Sequence, residues 1–242
     1  MILQVLRSSV SVRDKFIILV AFIGAAMLSI IVHEVAHGYV ALKNGDPTAK
    51  WAGRLTLNPK SHFDLWGILM FLFIGVGWAK PVPVNYDNFT KKRRGIVTVS
   101  LAGVTANLIM AFVAFGLLAL TALIISKTTV ESYFAQGIAS LFIYFFNYLI
   151  TVNICLIAFN ILPIFPLDGF RVVQAFFPNS KYVSFMYRYG SMTLLILIVG
   201  GSLLSVISPY LDVLGLYIGW VYDLVFGLIN KLWGAIVGVW IW

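Results

Sequence analysis

Cysteine, histidine and charge are all scarce in this chain of 242 residues. Its one cysteine, Cys155, excludes an intrachain disulfide and a thiolate metal site. Only 11% of the residues are charged, whereas 61% are hydrophobic and the mean hydropathy is +0.96. A soluble fold of this length cannot bury so much apolar surface. The composition therefore predicts an integral membrane protein with the lipid bilayer as a partner.

The net charge of +8 does not indicate a nucleic-acid partner. The basic residues cluster beside apolar segments, and they do not follow one polar face. In that position Lys and Arg determine membrane topology and contact lipid headgroups. We therefore expect no nucleic acid, and the sequence leaves the oligomeric state open.

Long apolar segments predict an all-α polytopic membrane fold with about five to six transmembrane helices. The first segment, residues 16–42, would extend about 40 Å as a helix, which is enough to cross the hydrocarbon core with tilt. Further spans are expected at about residues 96–125, 138–162, 189–207 and 213–241. The apolar stretch 65–79 is too short for a comfortable span, so we expect a re-entrant or β-hairpin-like loop there.

Basic residues predict how the spans are oriented. Between residues 43 and 94 there are nine Lys and Arg against three Asp, and the segment after the fourth span is also basic. The positive-inside rule places both segments in the cytoplasm, although Arg7, Arg13 and Lys15 oppose this orientation. We expect a protein of a prokaryotic cell membrane, with the end of the first span nearer the cytoplasmic side.

Three ionisable side chains, His33, Glu34 and His37, lie within five residues of the first span. A charged residue at the centre of a spanning helix costs roughly 2.5 to 3.5 kcal/mol, so these groups need a compensating partner. Residues four apart share a helix face, so the two imidazoles can bind one ion. Glu34 could then reach a water without being a ligand, as in zinc hydrolases. The alternative is a coincidental match in which each histidine is hydrogen-bonded within a helix bundle.

A catalytic metal site needs a third ligand, and Asp168 is the strongest candidate. It follows an apolar span, and Pro163 and Pro166 just before it must interrupt the helix. Non-helical backbone at membrane depth is tolerated where it lines a cavity, into which Asn160 could direct its amide. A helix stop at the prolines and a helix cap at Asp168 would explain the same residues.

Two other residues are weaker candidates for the site. Asp223 is a rival third ligand, but Lys231 follows it at a distance that favours a paired or snorkelling role. His62 lies in a polar loop and is interpreted as structural.

Pro81 and Pro83 alternate with Val82 and Val84 in a short segment that could act as a strand. Proline removes backbone donors from one edge only, which leaves Val82 and Val84 free to pair along the other. We expect an unwound substrate to add there as a strand. A plain loop or a protected edge is the alternative.

Two motifs together resemble one known family. The sequence His33-Glu34-x-x-His37, followed by Asn160-x-x-Pro163-x-x-Pro166-Leu-Asp168-Gly169, is similar to the site-2 protease family of intramembrane zinc metalloproteases, peptidase family M50. The segment Ala102–Asn107 is similar to that family's small-residue motif, with Val104 where proline is usual. The resemblance covers about residues 16–171.

The resemblance implies one zinc ion per chain, held by His33, His37 and Asp168, with Glu34 as the general base. Asn160 would help to bind the substrate backbone or to steady the oxyanion. Asn107 joins Val82 and Val84 as a candidate for substrate binding.

The resemblance also implies an enzyme that hydrolyses a peptide bond within or near a transmembrane segment of a membrane protein substrate. We expect residues 1–242 to form a single membrane-embedded protease domain, with a core at about 16–171 and accessory spans at about 189–242. This would be a minimal member without a PDZ or CBS domain. The alternatives are a zinc or proton transporter and a catalytically silent relative that binds membrane helices.

Overall fold

A computed structural model describes residues 9–63, 67, 80–128 and 132–237 of the protein. All regular structure in this part of the chain is helical, and five helical segments are long and apolar enough to cross a membrane. The predicted all-α polytopic membrane fold is confirmed. The five segments are α1 (Val12–Lys43), α4 (Lys92–Lys127), α5 (Tyr133–Ile161), α7 (Lys181–Leu195) continued through a π-helical turn (Ile196–Gly200) into α8 (Gly201–Leu204), and α9 (Val213–Val237).

The connections between these spans contain short helices. They are α2 (Thr48–Trp51), α3 (Pro59–His62), α6 (Asp168–Phe176) and two 3₁₀ turns (Tyr86–Asn88 and Pro209–Leu211). The predicted re-entrant loop at residues 65–79 lies outside the described residues, except for Gly67.

Several helices begin earlier than the apolar pattern predicts, because polar capping residues extend them. The Ser11 hydroxyl accepts a hydrogen bond from the Asp14 amide at 3.1 Å and starts α1 four residues before the apolar run. The Ser180 hydroxyl accepts from the Val183 amide at 3.2 Å and starts α7 well before its apolar part. Such caps satisfy backbone donors that the first helical turn leaves unpaired.

Helices α1, α4 and α5 pack around one apolar core. Small residues at this contact, such as Ala25 and Ala111, let the helix backbones approach closely. The fully buried Asn153 amide of α5 donates to the Ser29 hydroxyl of α1 at 2.8 Å, which joins the same helices by a polar contact. The buried members of the core are Ala25, Ala111, Ala114, Phe115, Leu118, Leu149, Ile150, Ile154 and Ile229.

The last span, α9, is fastened to α4 by Trp233. The indole N–H donates to the carbonyl of Phe112 at 2.9 Å, and the two rings stack with centroids 5.1 Å apart. Gly116 gives the indole room, because a Cβ at that position would overlap the ring.

Asp46, just after α1, ties the end of that helix to the segment that leads into α4. Its fully buried carboxylate accepts from the Asn85 amide at 2.7 Å, from the Asn88 side chain at 2.8 Å and from the Thr48 amide at 3.1 Å. Burial raises the pKa of Asp46, but these hydrogen bonds outweigh it and hold the pKa below its ordinary value of 3.8. Asn85 and Asn88 are thereby held at the end of α1.

We predict that Asp46 makes the stability of this protein depend on acidity. A carboxyl group with a lowered pKa in the folded state stabilises the fold above pH 3.8 and loses that contribution as the pH falls through the folded-state pKa. In detergent at pH 6, Asp46→Asn should be less stable than wild type by about 1 to 3 kcal/mol. Melting curves between pH 6 and pH 3 should show the difference shrinking in acid, and a constant difference would contradict this role.

Candidate metal centre

His33 and His37 lie one turn apart near the end of α1, and both rings face the same point. Their Nε2 atoms are 3.0 Å apart, and both residues are buried. The ring planes are nearly perpendicular, at 85°. The helical spacing predicted from the sequence therefore brings the two imidazoles together.

Asp168, the first residue of α6, completes the group. Its Oδ2 atom lies 3.3 Å from Nε2 of His33 and 3.2 Å from Nε2 of His37. Oδ2 is buried, and no hydrogen-bond donor other than the two imidazoles reaches it in the part of the chain described. The Asp168 side chain as a whole is still 20% exposed, which leaves one side of the group open.

The spacing of these three atoms fits a tetrahedral zinc ion. Zinc bonds to histidine nitrogen and carboxylate oxygen are about 2.0 to 2.2 Å long, which places neighbouring ligands of a tetrahedron about 3.3 to 3.5 Å apart. The observed separations of 3.0, 3.2 and 3.3 Å are close to these values. Two imidazoles and one carboxylate are also a ligand set typical of catalytic zinc, which keeps the fourth position open.

A tight approach between α5 and α6 places Asp168. Helix α5 ends at Ile161, before Pro163, as the prolines predict, and α6 begins after a short turn. Gly169 lies directly against the end of α5, where a Cβ would come within 2.6 Å of the Leu162 carbonyl oxygen. Only glycine allows this contact, so Gly169 holds the carboxylate of Asp168 at the histidine pair.

Comparisons with known proteins agree with this geometry. The sequence pattern of peptidase family M50 matches residues 21–199 of the chain. The chain belongs to peptidase family M50. It is therefore a zinc metalloprotease of the site-2 protease family with zinc as its cofactor, as the sequence motifs predicted.

Two relatives of this M50 peptidase are bacterial proteins with provisional names as zinc metalloproteases. YwhC of Bacillus subtilis is 41% identical over 175 residues, which cover 72% of this chain and 77% of YwhC. Rip2 of Mycobacterium tuberculosis is 31% identical over 163 residues, which cover 65% of this chain and 57% of Rip2. No solved structure matches the chain significantly.

The Nδ1 atoms of both histidines in the M50 peptidase, which point away from the metal centre, contact α4. Nδ1 of His37 lies 2.7 Å from the carbonyl oxygen of Val99. Nδ1 of His33 lies 3.2 Å from the side-chain amide nitrogen of Asn107, which is fully buried. Gly103 faces the His33 ring, where a Cβ would lie 2.6 Å from its Nδ1 atom. These contacts fix both ring orientations from outside the centre.

Glu34 projects from α1 toward the segment that contains Val82. Its Oε2 atom accepts a hydrogen bond from the Val82 amide at 2.8 Å. The sequence analysis predicted that this amide pairs with a substrate strand. In the structure it donates to Glu34 instead. The Val82 side chain is buried, and the Val84 side chain packs beside Ala41 and Val99. Residues 80–85 have no regular secondary structure, and the Val82 amide joins this segment to α1 through Glu34.

The other predicted site residues are not members of the ligand cluster His33, His37 and Asp168. Asn160 is in the last turn of α5, and its amide nitrogen donates to the Leu156 carbonyl of its own helix at 3.0 Å. His62 is fully buried, and its Nε2 atom lies 2.7 Å from the Thr56 carbonyl oxygen, as a structural residue would. Asp223 is exposed on α9 and is not part of the cluster. The roles of Asn160 in catalysis and of Asn107, Val82 and Val84 in substrate binding stay predictions.

Three residues that position the site or its neighbouring segment, Val99, Asp46 and Gly169, were not predicted from the sequence. The Val99 contact is made by a backbone carbonyl, which no sequence pattern reveals, and Asp46 was one of three acids in a loop rich in Lys and Arg. Gly169 did carry a signal, because it directly follows Asp168 after two prolines, but its close packing needs the structure.

The two rival aspartates can be separated by metal content. We predict that Asp168→Ala loses zinc on dialysis, because two imidazoles alone hold the ion poorly. Asp223→Ala is a matched control that removes the same group from an exposed helix and should keep its zinc. Zinc per chain is measured by elemental analysis after dialysis of both purified variants. Equal zinc in Asp168→Ala and wild type would exclude Asp168 as a ligand.

Proposed function

We propose that this M50 peptidase is an intramembrane endopeptidase, which cleaves a membrane protein substrate within or near a transmembrane segment. The observation that carries the proposal is the position of the candidate metal centre. Its histidines lie in α1, one of the five apolar helices suited to spanning a bilayer, and its aspartate begins the helix after α5. A peptide bond that reaches this centre must come from the membrane or its interface.

In the proposed mechanism His33, His37 and Asp168 hold the cofactor. When bound there, zinc would act as a Lewis acid that polarises the scissile carbonyl and lowers the pKa of a water molecule. Glu34 adjoins His33 in sequence without belonging to the ligand group, and its carboxylate accepts the proton of the attacking water. The same carboxylate then passes this proton to the leaving amine.

Asn160 is the proposed group for the substrate carbonyl or backbone. Its amide nitrogen has a second proton beyond the one that Leu156 accepts, and the residue is only partly buried in the last turn before Pro163. A donor in this position could stabilise negative charge that develops on the carbonyl oxygen.

A transmembrane helix hides its peptide bonds in its own hydrogen bonds, so the substrate must unwind before cleavage. We propose that the segment around Val82 and Val84 receives the unwound strand. The Val82 amide donates to Glu34, so the edge of the segment that carries it faces the proposed base. A substrate carbonyl that takes over this amide would place the strand beside the centre and release Glu34 for its role as base.

The basic loops support an orientation in which the metal centre lies nearer the cytoplasmic side of a prokaryotic cell membrane. Residues 43–94 and the segment after α5 carry the positive charge, and the centre joins the ends of α1 and α5 that lead into them. We further propose a single protease domain with its core at residues 16–171 and accessory spans at residues 189–242.

Glu34→Gln tests the enzymatic role directly. The variant should lose cleavage of a purified single-span substrate by several orders of magnitude and keep its zinc, because glutamine cannot accept the proton and no ligand is changed. The readouts are gel analysis of the products and zinc per chain. A chelator should abolish cleavage by wild type, and re-addition of zinc should restore it. Retained cleavage in Glu34→Gln would exclude Glu34 as base, and no cleavage by zinc-loaded wild type would favour a silent relative.

Val82→Pro tests the strand hypothesis. Proline removes the Val82 amide proton, so cleavage of the single-span substrate should fall about 10-fold or more while zinc content stays at the wild-type level. Val82→Ala keeps the amide and should retain most activity. If the amide only restrains Glu34, its loss would leave cleavage unchanged or faster, and the strand hypothesis would be wrong.

A further inference from the structure

Helix α4 supplies a partner to the Nδ1 atom of each histidine. One partner is a backbone carbonyl and the other is a side-chain amide. His37 faces the backbone carbonyl of Val99 at 2.7 Å. A carbonyl can only accept, so Nδ1 of His37 carries a proton, and in the neutral imidazole Nε2 then has the electron pair that can bind a metal. His33 faces the side-chain amide of Asn107 at 3.2 Å, and an amide can either donate or accept.

The two orientations of the Asn107 amide favour different forms of His33. With Nδ2 toward the ring, Nδ1 of His33 accepts, and the proton sits on Nε2, where it can be donated toward Asp168 Oδ2 at 3.3 Å. With Oδ1 toward the ring, Nδ1 donates, and Nε2 is free to bind a metal. A half turn of the amide exchanges the two atoms and leaves the separation unchanged.

The Asn107 side chain is buried and contacts no polar group except His33 among the described residues. The side chain is fully buried, and its Oδ1 atom has no hydrogen-bond partner among the described residues, so the amide is held by a single polar contact. One turn earlier, Gly103 presents bare backbone to the His33 ring and offers no side chain. Asn107 is therefore the side chain of α4 that contacts Nδ1 of His33.

We propose that Asn107 is a positioning residue for zinc binding: it accepts the Nδ1 proton of His33 and so keeps Nε2 of His33 available as a ligand. The inference rests on the proposed ligand set, in which His33 holds the ion. It assigns Asn107 a function that differs from the substrate contact expected from the sequence, because a fully buried amide behind the histidine is poorly placed to meet a substrate.

The test compares two buried asparagines that both contact α1. Asn107→Leu removes the acceptor at His33, whereas Asn153→Leu removes the contact to Ser29 elsewhere on the same helix. Zinc affinity is measured in purified, folded protein by competition with a chromophoric chelator. Asn107→Leu should weaken zinc binding about 10- to 100-fold. Asn153→Leu should leave zinc affinity unchanged, although both variants are expected to melt at lower temperature.

Asn107→Asp is the conservative variant and also covers the case in which Asn107→Leu does not fold. A carboxylate at this position accepts the Nδ1 proton, so zinc affinity should equal or exceed that of wild type. Unchanged affinity in Asn107→Leu, an equal loss in Asn153→Leu, or a loss in Asn107→Asp as large as that in Asn107→Leu would overturn the inference.

His33→Ala separates this inference from the proposed ligand set. It should lower zinc affinity more than any Asn107 variant, because it removes a ligand. If His33→Ala keeps wild-type affinity, the ligand set is wrong. If His33→Ala loses zinc and Asn107→Leu does not, the ligand set stands and only the role of Asn107 is wrong.

Discussion

The contact of the Asp168 carboxylate with the imidazoles of His33 and His37, in apolar surroundings, constrains how the helices of this molecule pack. Each of these groups would be costly to bury alone, and they become tolerable together because three donor atoms only 3.0 to 3.3 Å apart can share one cation. Asp168 reaches α1 because α6 begins directly after the short turn that follows α5. Gly169 allows the close approach, and the prolines end α5 at the required point.

Helix α4 has a double role in the same arrangement. Its small residues, among them Gly103 and Ala111, let it pack closely against its neighbours, as is usual where no hydrophobic force acts between helices in lipid. The same close approach brings the Val99 carbonyl and the Asn107 amide to the Nδ1 atoms of the histidines. The contact between α1 and α4 thus both packs the two helices together and orients the histidine rings.

Two carboxylates fix residues 80–88, the segment that leads into α4. Glu34 accepts the Val82 amide, and Asp46 accepts the Asn85 amide and the Asn88 side chain. Both acids belong to α1 or to the turn that ends it, so the segment and the histidine helix form one unit. This coupling links the proposed place for the substrate strand to the proposed base.

The sequence by itself determined the membrane class, the helical spans and the pairing of His33 with His37, because hydropathy and a four-residue spacing are local properties of a helix. The motifs also favoured Asp168 over Asp223. His37 and Asp168 are nevertheless 131 residues apart in the chain, and only folding brings Nε2 of His37 within 3.2 Å of Oδ2 of Asp168. Only the tertiary structure decided the contacts of Val99, Asn107 and the Val82 amide. These depend on which faces of separate helices meet, and that is set by packing between residues far apart in the chain.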